Sequence, residues 1–460
     1  MGNKLKTYSI KTFGCAMNFS DSEKISSVLD SYGLTEVLDD ENADLVIFNT
    51  CSIKQKSEDK IFGLLHNFKK IKEKFPHRKY GITGCMVKKS GIRDKESVFY
   101  SNDPLLRRSE ILDFVFRILD LPKLPGILGI NKNSDKNLNE DKEKFFQIQQ
   151  KLKSPHQAII PIQTGCDNFC TYCVVPYTRG KEFSRSIAEI TREINFYAKK
   201  GIKEVILVGQ NVNSYGKGGG ITKRKFDEEN KKWLDGEEKT PFAKLLEEVN
   251  KIEGIERIRF QSSNPHDMTN DIIKAILNCE KVMPSLHFAL QSGNDEILKK
   301  MRRRHTFDDF KKIVKKLRSK NKKFGISTDI IVGFCGETEG QFQNTLKAIR
   351  EIQFDMIYIS QYSVRKGTFA GDKMNDDISL EIKKKRWQET NEELKKSMKN
   401  RMSIFQGEKV KVLIDKIENG ICEGKTEENY VCRFSEKNYK VGEIVEVEVI
   451  GSDTWALKGE

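Results

Sequence analysis

The sequence predicts an α/β multidomain protein: an N-terminal parallel α/β sheet domain, a central partial (β/α)6 barrel and a small C-terminal β-barrel. Three observations carry this expectation. Short apolar segments alternate with helix-like segments three times before residue 120, the mark of parallel strands joined by crossover helices. The alternation resumes after residue 156 and runs six times. From residue 404 the apolar period drops to two, with glycines as punctuation, which suits short strands closing on themselves.

In residues 1–120 each of the three strands runs into a cysteine. They are Tyr8-Ser9-Ile10-Lys11-Thr12-Phe13-Gly14-Cys15, Leu45-Val46-Ile47-Phe48-Asn49-Thr50-Cys51 and Tyr80-Gly81-Ile82-Thr83-Gly84-Cys85. Ligands of open α/β sheets bind outside the carboxyl ends of the strands, so the topology gathers Cys15, Cys51 and Cys85 at one edge. Three thiolates there read as ligands of an iron–sulfur cluster. The plainer alternative is three separately buried cysteines, which equivalent placement on three strands disfavours.

Residues 121–155 read as a linker. Pro122 and Pro125 precede a polar stretch from Asn131 to Lys144, and such composition predicts solvated loop. Residues 156–379 supply the barrel, with strands over 158–163, 204–208, 257–261, 285–290, 325–332 and 356–360. Chemistry on such barrels is built at the carboxyl rim. The charged, Gly-rich stretch 217–240 reads as a loop insertion. Residues 380–403 form a charged connecting helix with Leu380, Ile382, Trp387 and Leu394 as sparse apolar positions. Residues 404–460 form the small barrel, with Val410, Val412 and Ile414 alternating along one strand.

The chain of 460 residues carries a formal net charge of +14. That excess suits a polyanionic partner such as nucleic acid; lysines on solvated helix faces are the plainer source. The small barrel holds 8 Lys and Arg against 12 Asp and Glu, so the excess lies upstream of it. There is no apolar run long enough to span a bilayer and no apolar signal segment at the N-terminus. A cytoplasmic protein that avoids the membrane is expected. Ten cysteines in that compartment argue for metal or redox work rather than disulfides.

The most specific signal is Cys166-Asp167-Asn168-Phe169-Cys170-Thr171-Tyr172-Cys173. Its C-x3-C-x2-C spacing has no fourth cysteine or histidine close behind. Zinc would take four ligands, or three and water. Three thiolates on a four-iron cube leave one iron for a small molecule, and S-adenosylmethionine (SAM) is the cofactor whose radical chemistry uses such an iron. The histidines show no paired ligand spacing and read as structural or surface; Cys279, Cys335, Cys422 and Cys432 have no ligand spacing, and Cys422 and Cys432 read as core of the small barrel.

These motifs resemble those of the radical-SAM methylthiotransferases. Cys166 to Gly180 is similar to the family's radical-SAM motif. Asn49 to Lys60, Gly14 to Asn18 and Thr83 to Cys85 are similar to its three N-terminal cysteine motifs. Val208 to Asn213 and Leu290 to Asn294 match further segments, and residues 404–460 resemble the RNA-binding TRAM domain. The resemblance covers nearly the whole chain, in the family's domain order, and is nearest to the tRNA-modifying branch. Its sister branches act on threonylcarbamoyl-adenosine in tRNA or on a ribosomal-protein aspartate.

The resemblance implies methylthio transfer to C2 of N6-isopentenyladenosine at tRNA position 37, next to the anticodon. It implies two [4Fe-4S] clusters, an auxiliary one on Cys15, Cys51 and Cys85 and a SAM-binding one on Cys166, Cys170 and Cys173. No other catalytic residue is assigned. Gln210, Asn211, Ser292 and Asp329 are the expected SAM contacts, each with a plainer reading as a turn or capping residue. Arg179 suits a phosphate, the SAM carboxylate or a surface ion pair. Phe169, Tyr172 and Tyr177 are candidate stacking platforms for the tRNA anticodon loop, with core packing as the equal alternative. An electron-donor protein is the other implied partner, and a monomer is expected. The chain departs from the family pattern at Arg304, Cys335, Val364, Lys366 and Phe369, all on loops at the rim. The rival from another class is an RNA-binding protein with a structural cluster.

Overall fold

The computed structural model describes residues 5–51, 55–87, 105–106, 109, 111–130, 142–217 and 239–460. These fall into two compact units. The first comprises Met1–Lys153, Thr164–Asp167 and Cys173–Phe183; the second comprises Ser154–Gln163, Asn168–Tyr172 and Ser184–Glu460.

The first unit is built on five strands: β1 (Thr7–Phe13), β2 (Thr35–Glu36), β3 (Leu45–Thr50), β4 (Lys79–Gly84) and β5 (Phe114–Val115). They pair in the order β2-β1-β3-β4-β5, all parallel. β3 is buried along its whole length, as a strand covered on both faces must be, which explains its unbroken apolar run. On one face, Ile25 and Leu29 of helix α1 (Ala16–Ser31) pack on Tyr8, Leu45 and Ile47. On the other, Ile61, Leu65 and Phe68 of helix α2 (Gln55–Lys74) meet Val46, Phe48 and Ile82. Their spacing of four and three places them on one helical stripe. The strand order reverses direction between β1 and β3. Such a switch point is where doubly wound sheets bind ligands, and Cys15 and Cys51 follow those two strands.

The expectation of a solvated linker over 121–155 is overturned at both ends. A short helical run over Ile118–Lys123 continues into Leu124–Ile127, and a helix follows over Lys142–Gln147. Leu121, Leu124, Phe145 and Phe146 are buried in the same core as Tyr8 and Leu45. Their burial stabilises the sheet and offsets the polar composition around them. The intervening polar stretch and most of the 217–240 insertion lie outside the described residues.

The second unit contains six parallel strands in chain order: Gln157–Pro161, Glu204–Val208, Arg257–Phe260, Ser285–His287, Gly325–Val332 and Met356–Gln361. They form two three-stranded ladders, linked by parallel bridges at Ile258–Val282 and Ser263–Phe288. This is an open, partial barrel-like α/β core.

The helix that follows, Leu380–Met402, corrects its expected packing. Leu380 and Ile382 are exposed, whereas Lys383, Arg386, Glu393 and Arg401 are buried. Its inward face combines the buried Leu394, Met398 and Met402 with ion pairs: Lys383 to Asp376, Arg386 to Glu337 and Arg401 to Asp355. Five strands then close a barrel in the order 409–418, 421–426, 431–435, 456–459 and 444–452. Asp355 ties it to the α/β core. Its carboxylate accepts from Arg318 at 2.9 Å, Arg401 at 2.8 Å and the Tyr430 hydroxyl, and also takes the Ile326 backbone N–H.

Candidate metal centres

Cys15 occupies the N-cap position of α1, directly after β1. Its backbone N–H donates to Asn18 Oδ1 at 3.3 Å, and its Sγ lies 3.5 Å from the same oxygen. Cys51 and Cys85 follow β3 and β4. The Cys51 N–H donates to the Phe13 carbonyl and the Cys85 N–H to the Thr50 carbonyl, both at 2.7 Å. Cys51 and Cys85 are thus each pinned to the end of the strand beside them, and Cys15 to the first turn of α1. Gly84 makes the last step possible. Its φ is +92°, and a Cβ there would lie 2.6 Å from Asn49 Oδ1 and 2.8 Å from the Thr50 nitrogen, closer than side chains tolerate.

A polar scaffold stands behind the thiols. Asn49 donates to the Asn18 carbonyl at 2.8 Å and to Ser22 Oγ at 2.9 Å, while Asn18 donates to Asn49 Oδ1 at 3.1 Å. Ser22 Oγ is 2.7 Å from Thr12 Oγ1. These bonds join the ends of β1 and β3 to the first turns of α1.

The thiols differ in electrostatics. Hydrogen bonding from Cys51, opposed by burial and helped by Arg179, lowers the Cys85 thiol to about 6. Burial pushes the Cys15 thiol up, with the neighbouring Cys85 adding to it. Cys15 nevertheless keeps accessible surface, and that surface decides whether a ligand reaches it. Arg179, read from sequence as a phosphate, SAM or surface residue, is 1% exposed and paired with Asp21, itself 0% exposed. Burial works against its charge, while Asp21 and then Cys85 raise it. Asp21 was not legible as a site residue, and Asn18 and Asn49 entered only as members of the cysteine motifs. The available signal was α1 itself: Ser20, Asp21, Ser22, Glu23 and Lys24 are polar yet buried.

Among the described residues, no three His, Cys, Asp or Glu side chains converge on one metal ion. A four-iron cube takes one thiolate per iron, so its ligands need not share a single point. Three soft thiols on adjacent strand ends, one of them acidified, with a cation beside them, suit a metal–sulfur group.

The second triad lies on one short stretch of chain, Cys166 to Cys173. Cys166 is buried and its N–H donates to the Gly180 carbonyl at 3.2 Å; Cys173 is half-buried. In the second unit, Cys170 Sγ lies 3.7 Å from Arg303 Nη1, whose other nitrogen donates to the Ala289 carbonyl at 2.7 Å. Thr171 holds this turn of the loop by donating to the Met301 and Lys300 carbonyls at 3.1 and 3.0 Å.

The expected SAM contacts separate. Gln210 Oε1 is buried and has no hydrogen-bond partner among the described residues. Asn211 is turned to Asp267, donating to its carboxylate at 2.7 Å. Ser292 is fully buried near Thr345 and accepts from the Asn294 N–H at 3.2 Å. Asp329 Oδ2 lies 3.0 Å from His287 Nε2, a pairing the sequence did not suggest. Phe169 and Tyr177 are exposed, and Tyr172 packs edge-on against Phe334. Of the departures, Cys335 is buried with Phe334 and Tyr362, and Phe369 is exposed with the Arg302 guanidinium 4.5 Å from its ring. No helix of the described residues is long and apolar enough to cross a membrane.

The Radical SAM superfamily matches residues 160–349, and the family described as Uncharacterized protein family UPF0004 matches residues 7–101. A tRNA-2-methylthio-N(6)-dimethylallyladenosine synthase of Clostridium tetani is 36% identical, over 100% of this chain and 97% of its own. Its counterpart in Clostridium novyi is 38% identical, over 99% and 96%. The solved structure of the cobalamin-dependent SAM radical enzyme OxsB shares the fold, with a TM-score of 0.50, 12% identity, and 85% and 56% of the two chains covered. With full-length identity above a third and both cysteine triads in place, the chain belongs to the family of MiaB-type tRNA-2-methylthio-N(6)-dimethylallyladenosine synthases, which are radical-SAM proteins.

Proposed function

We propose that this chain adds a methylthio group to C2 of N6-isopentenyladenosine at tRNA position 37, using SAM and two [4Fe-4S] clusters. The observation that carries the reading is the placement of Cys15, Cys51 and Cys85 just past the carboxyl ends of three adjacent strands of the first unit, on a chain that also bears the C-x3-C-x2-C loop. The clusters supply, when bound, the electron that cleaves SAM to a carbon radical and the sulfur that is methylated and transferred. Such chemistry is needed because the C2–H bond is not acidic enough for general-base catalysis, which is worth only about 10²–10⁴-fold.

The residues divide the work. Cys166, Cys170 and Cys173 hold the SAM-binding cluster, and Arg303 steadies the Cys170 sulfur. Gln210 offers an unpartnered oxygen to a donor such as the SAM ammonium. Asp329 keeps accessible surface for a ribose hydroxyl, whereas Asn211 and Ser292 shape the rim through their buried hydrogen bonds. The five-stranded barrel of residues 404–460 is the TRAM-like RNA-binding part; closed barrels of that size are a common nucleic-acid platform. Residues 1–120 form the methylthiotransferase domain and 156–379 the radical-SAM domain. The setting is the cytoplasm, with an electron-donor protein as partner.

The test is nucleoside analysis of tRNA from a deletion strain, paired with anaerobic assay of the purified protein with SAM and dithionite. Loss of the methylthio-adenosine and production of 5′-deoxyadenosine are expected. An unchanged methylthio-adenosine level in the deletion strain would contradict the reading.

A further inference from the structure

We propose that Arg179 and Asp21 are positioning residues for the N-terminal triad: as a buried charge pair they set the reduction potential of the metal–sulfur group held by Cys15, Cys51 and Cys85. The inference rests on the cluster reading of that triad.

Four observations carry it. Arg179 and Asp21 both belong to the unit that bears the triad and are almost wholly removed from solvent. Asp21 lies on α1, the helix that Cys15 caps, and the Arg179 guanidinium paired with it favours the Cys85 thiolate. Among the described residues, Arg179 Nη1 and Asp21 Oδ1 have no hydrogen-bond partner, so the pair is incompletely satisfied. Finally, the neighbouring cation, Lys24, is committed elsewhere, donating to the Phe145 and Ile148 carbonyls at 2.9 and 3.0 Å with the Phe145 ring 4.7 Å away.

A buried pair kept for stability alone is expected to satisfy its donors and acceptors, because each orphan in low dielectric is costly. Here the leftover donor belongs to the group beside a ligand sulfur. Charge and hydrogen bonds at the sulfurs are levers by which a protein tunes an iron–sulfur potential. A cation beside Cys85 favours the added electron, and the Asp21 carboxylate moderates that effect. The two residues are 158 positions apart, so the arrangement depends on the segment downstream of Cys173 folding into the first unit.

The test uses the full-length chain with Cys166, Cys170 and Cys173 replaced by alanine, so that only the N-terminal cluster is reconstituted. Its potential is measured by redox titration with electron paramagnetic resonance. R179Q is expected to lower the potential and D21N to raise it. Each should change the reduced-to-oxidised ratio at fixed ambient potential about tenfold, equivalent to 59 mV for one electron. The R179Q/D21N double variant should return near the parent, and R179K should lie between the parent and R179Q. Shifts of the same sign for R179Q and D21N, or none with iron retained, would overturn the proposal. If R179Q loses its iron, D21N decides alone: an upward shift supports the proposal and an unmoved potential overturns it. A parent protein that binds no iron would remove the cluster reading as well.

Discussion

Gly84→Ala is the smallest change that should disable one centre and spare the other. Two costs add. An L-residue at a φ of +92° costs about 1–2 kcal/mol in backbone strain. The new methyl would stand 2.8 Å from the Thr50 nitrogen and 2.6 Å from Asn49 Oδ1, and overpacking of that kind costs about 1–3 kcal/mol. Relief requires β4 to draw away from β3, which breaks the 2.7 Å bond from the Cys85 N–H to the Thr50 carbonyl and costs about 1 kcal/mol more. The total, about 3–6 kcal/mol, falls on the residues that place Cys85. Gly33→Ala is the control, because its φ is +82° but nothing lies within 4 Å of the added methyl; it bears the strain alone. After anaerobic reconstitution, G84A should hold about half the iron and sulfide of the wild type while still producing 5′-deoxyadenosine from SAM. G33A should keep the full complement. Full iron and wild-type stability in G84A would refute the placement of Cys85 argued here.

Other consequences follow from the buried charges. Asp355→Asn weakens the anchor shared by Arg318, Arg401 and Tyr430, leaving two guanidiniums short of a counter-charge. Unfolding in urea should show a loss of about 3–5 kcal/mol, and an unchanged midpoint would argue against the hub. Burial, with Arg303 adding to it, lowers His305 from 6.5 to about 3. Between those values the unfolded chain binds a proton that the folded chain refuses. Stability should therefore fall as pH drops from 6.5 toward 3, by about 1.4 kcal/mol per pH unit. His305→Gln should flatten that slope in chemical denaturation, and an identical slope would exclude His305 as its source.

Much of the site was legible because strand periodicity and cysteine position coincide. Cys15, Cys51 and Cys85 each end an apolar run, so a parallel sheet carries them to one edge. The six-strand core and small barrel were readable for the same reason: local period reports which face is buried. What stayed hidden depends on contacts between distant segments. Phe145 and Phe146 are two apolar residues among charges, and only their docking on Tyr8 and Leu45 reveals a core. Asp21 and Arg179 look like solvated residues until the fold buries both. The helix over 380–402 misled in the opposite sense, because its inward face carries Lys383, Arg386 and Arg401 rather than Leu380 and Ile382. The hydrophobic pattern found the buried Leu394 but could not report the ion pairs beside it.

The central claim is that two cysteine triads hold two separate clusters. Iron and acid-labile sulfide, counted after anaerobic reconstitution, test it most directly. About eight iron atoms per chain are expected for the wild type and about four for each triple variant, C15A/C51A/C85A and C166A/C170A/C173A, with SAM cleavage kept only by the first. A wild-type protein that saturates at about four, or a first variant that still binds about eight, would contradict the account.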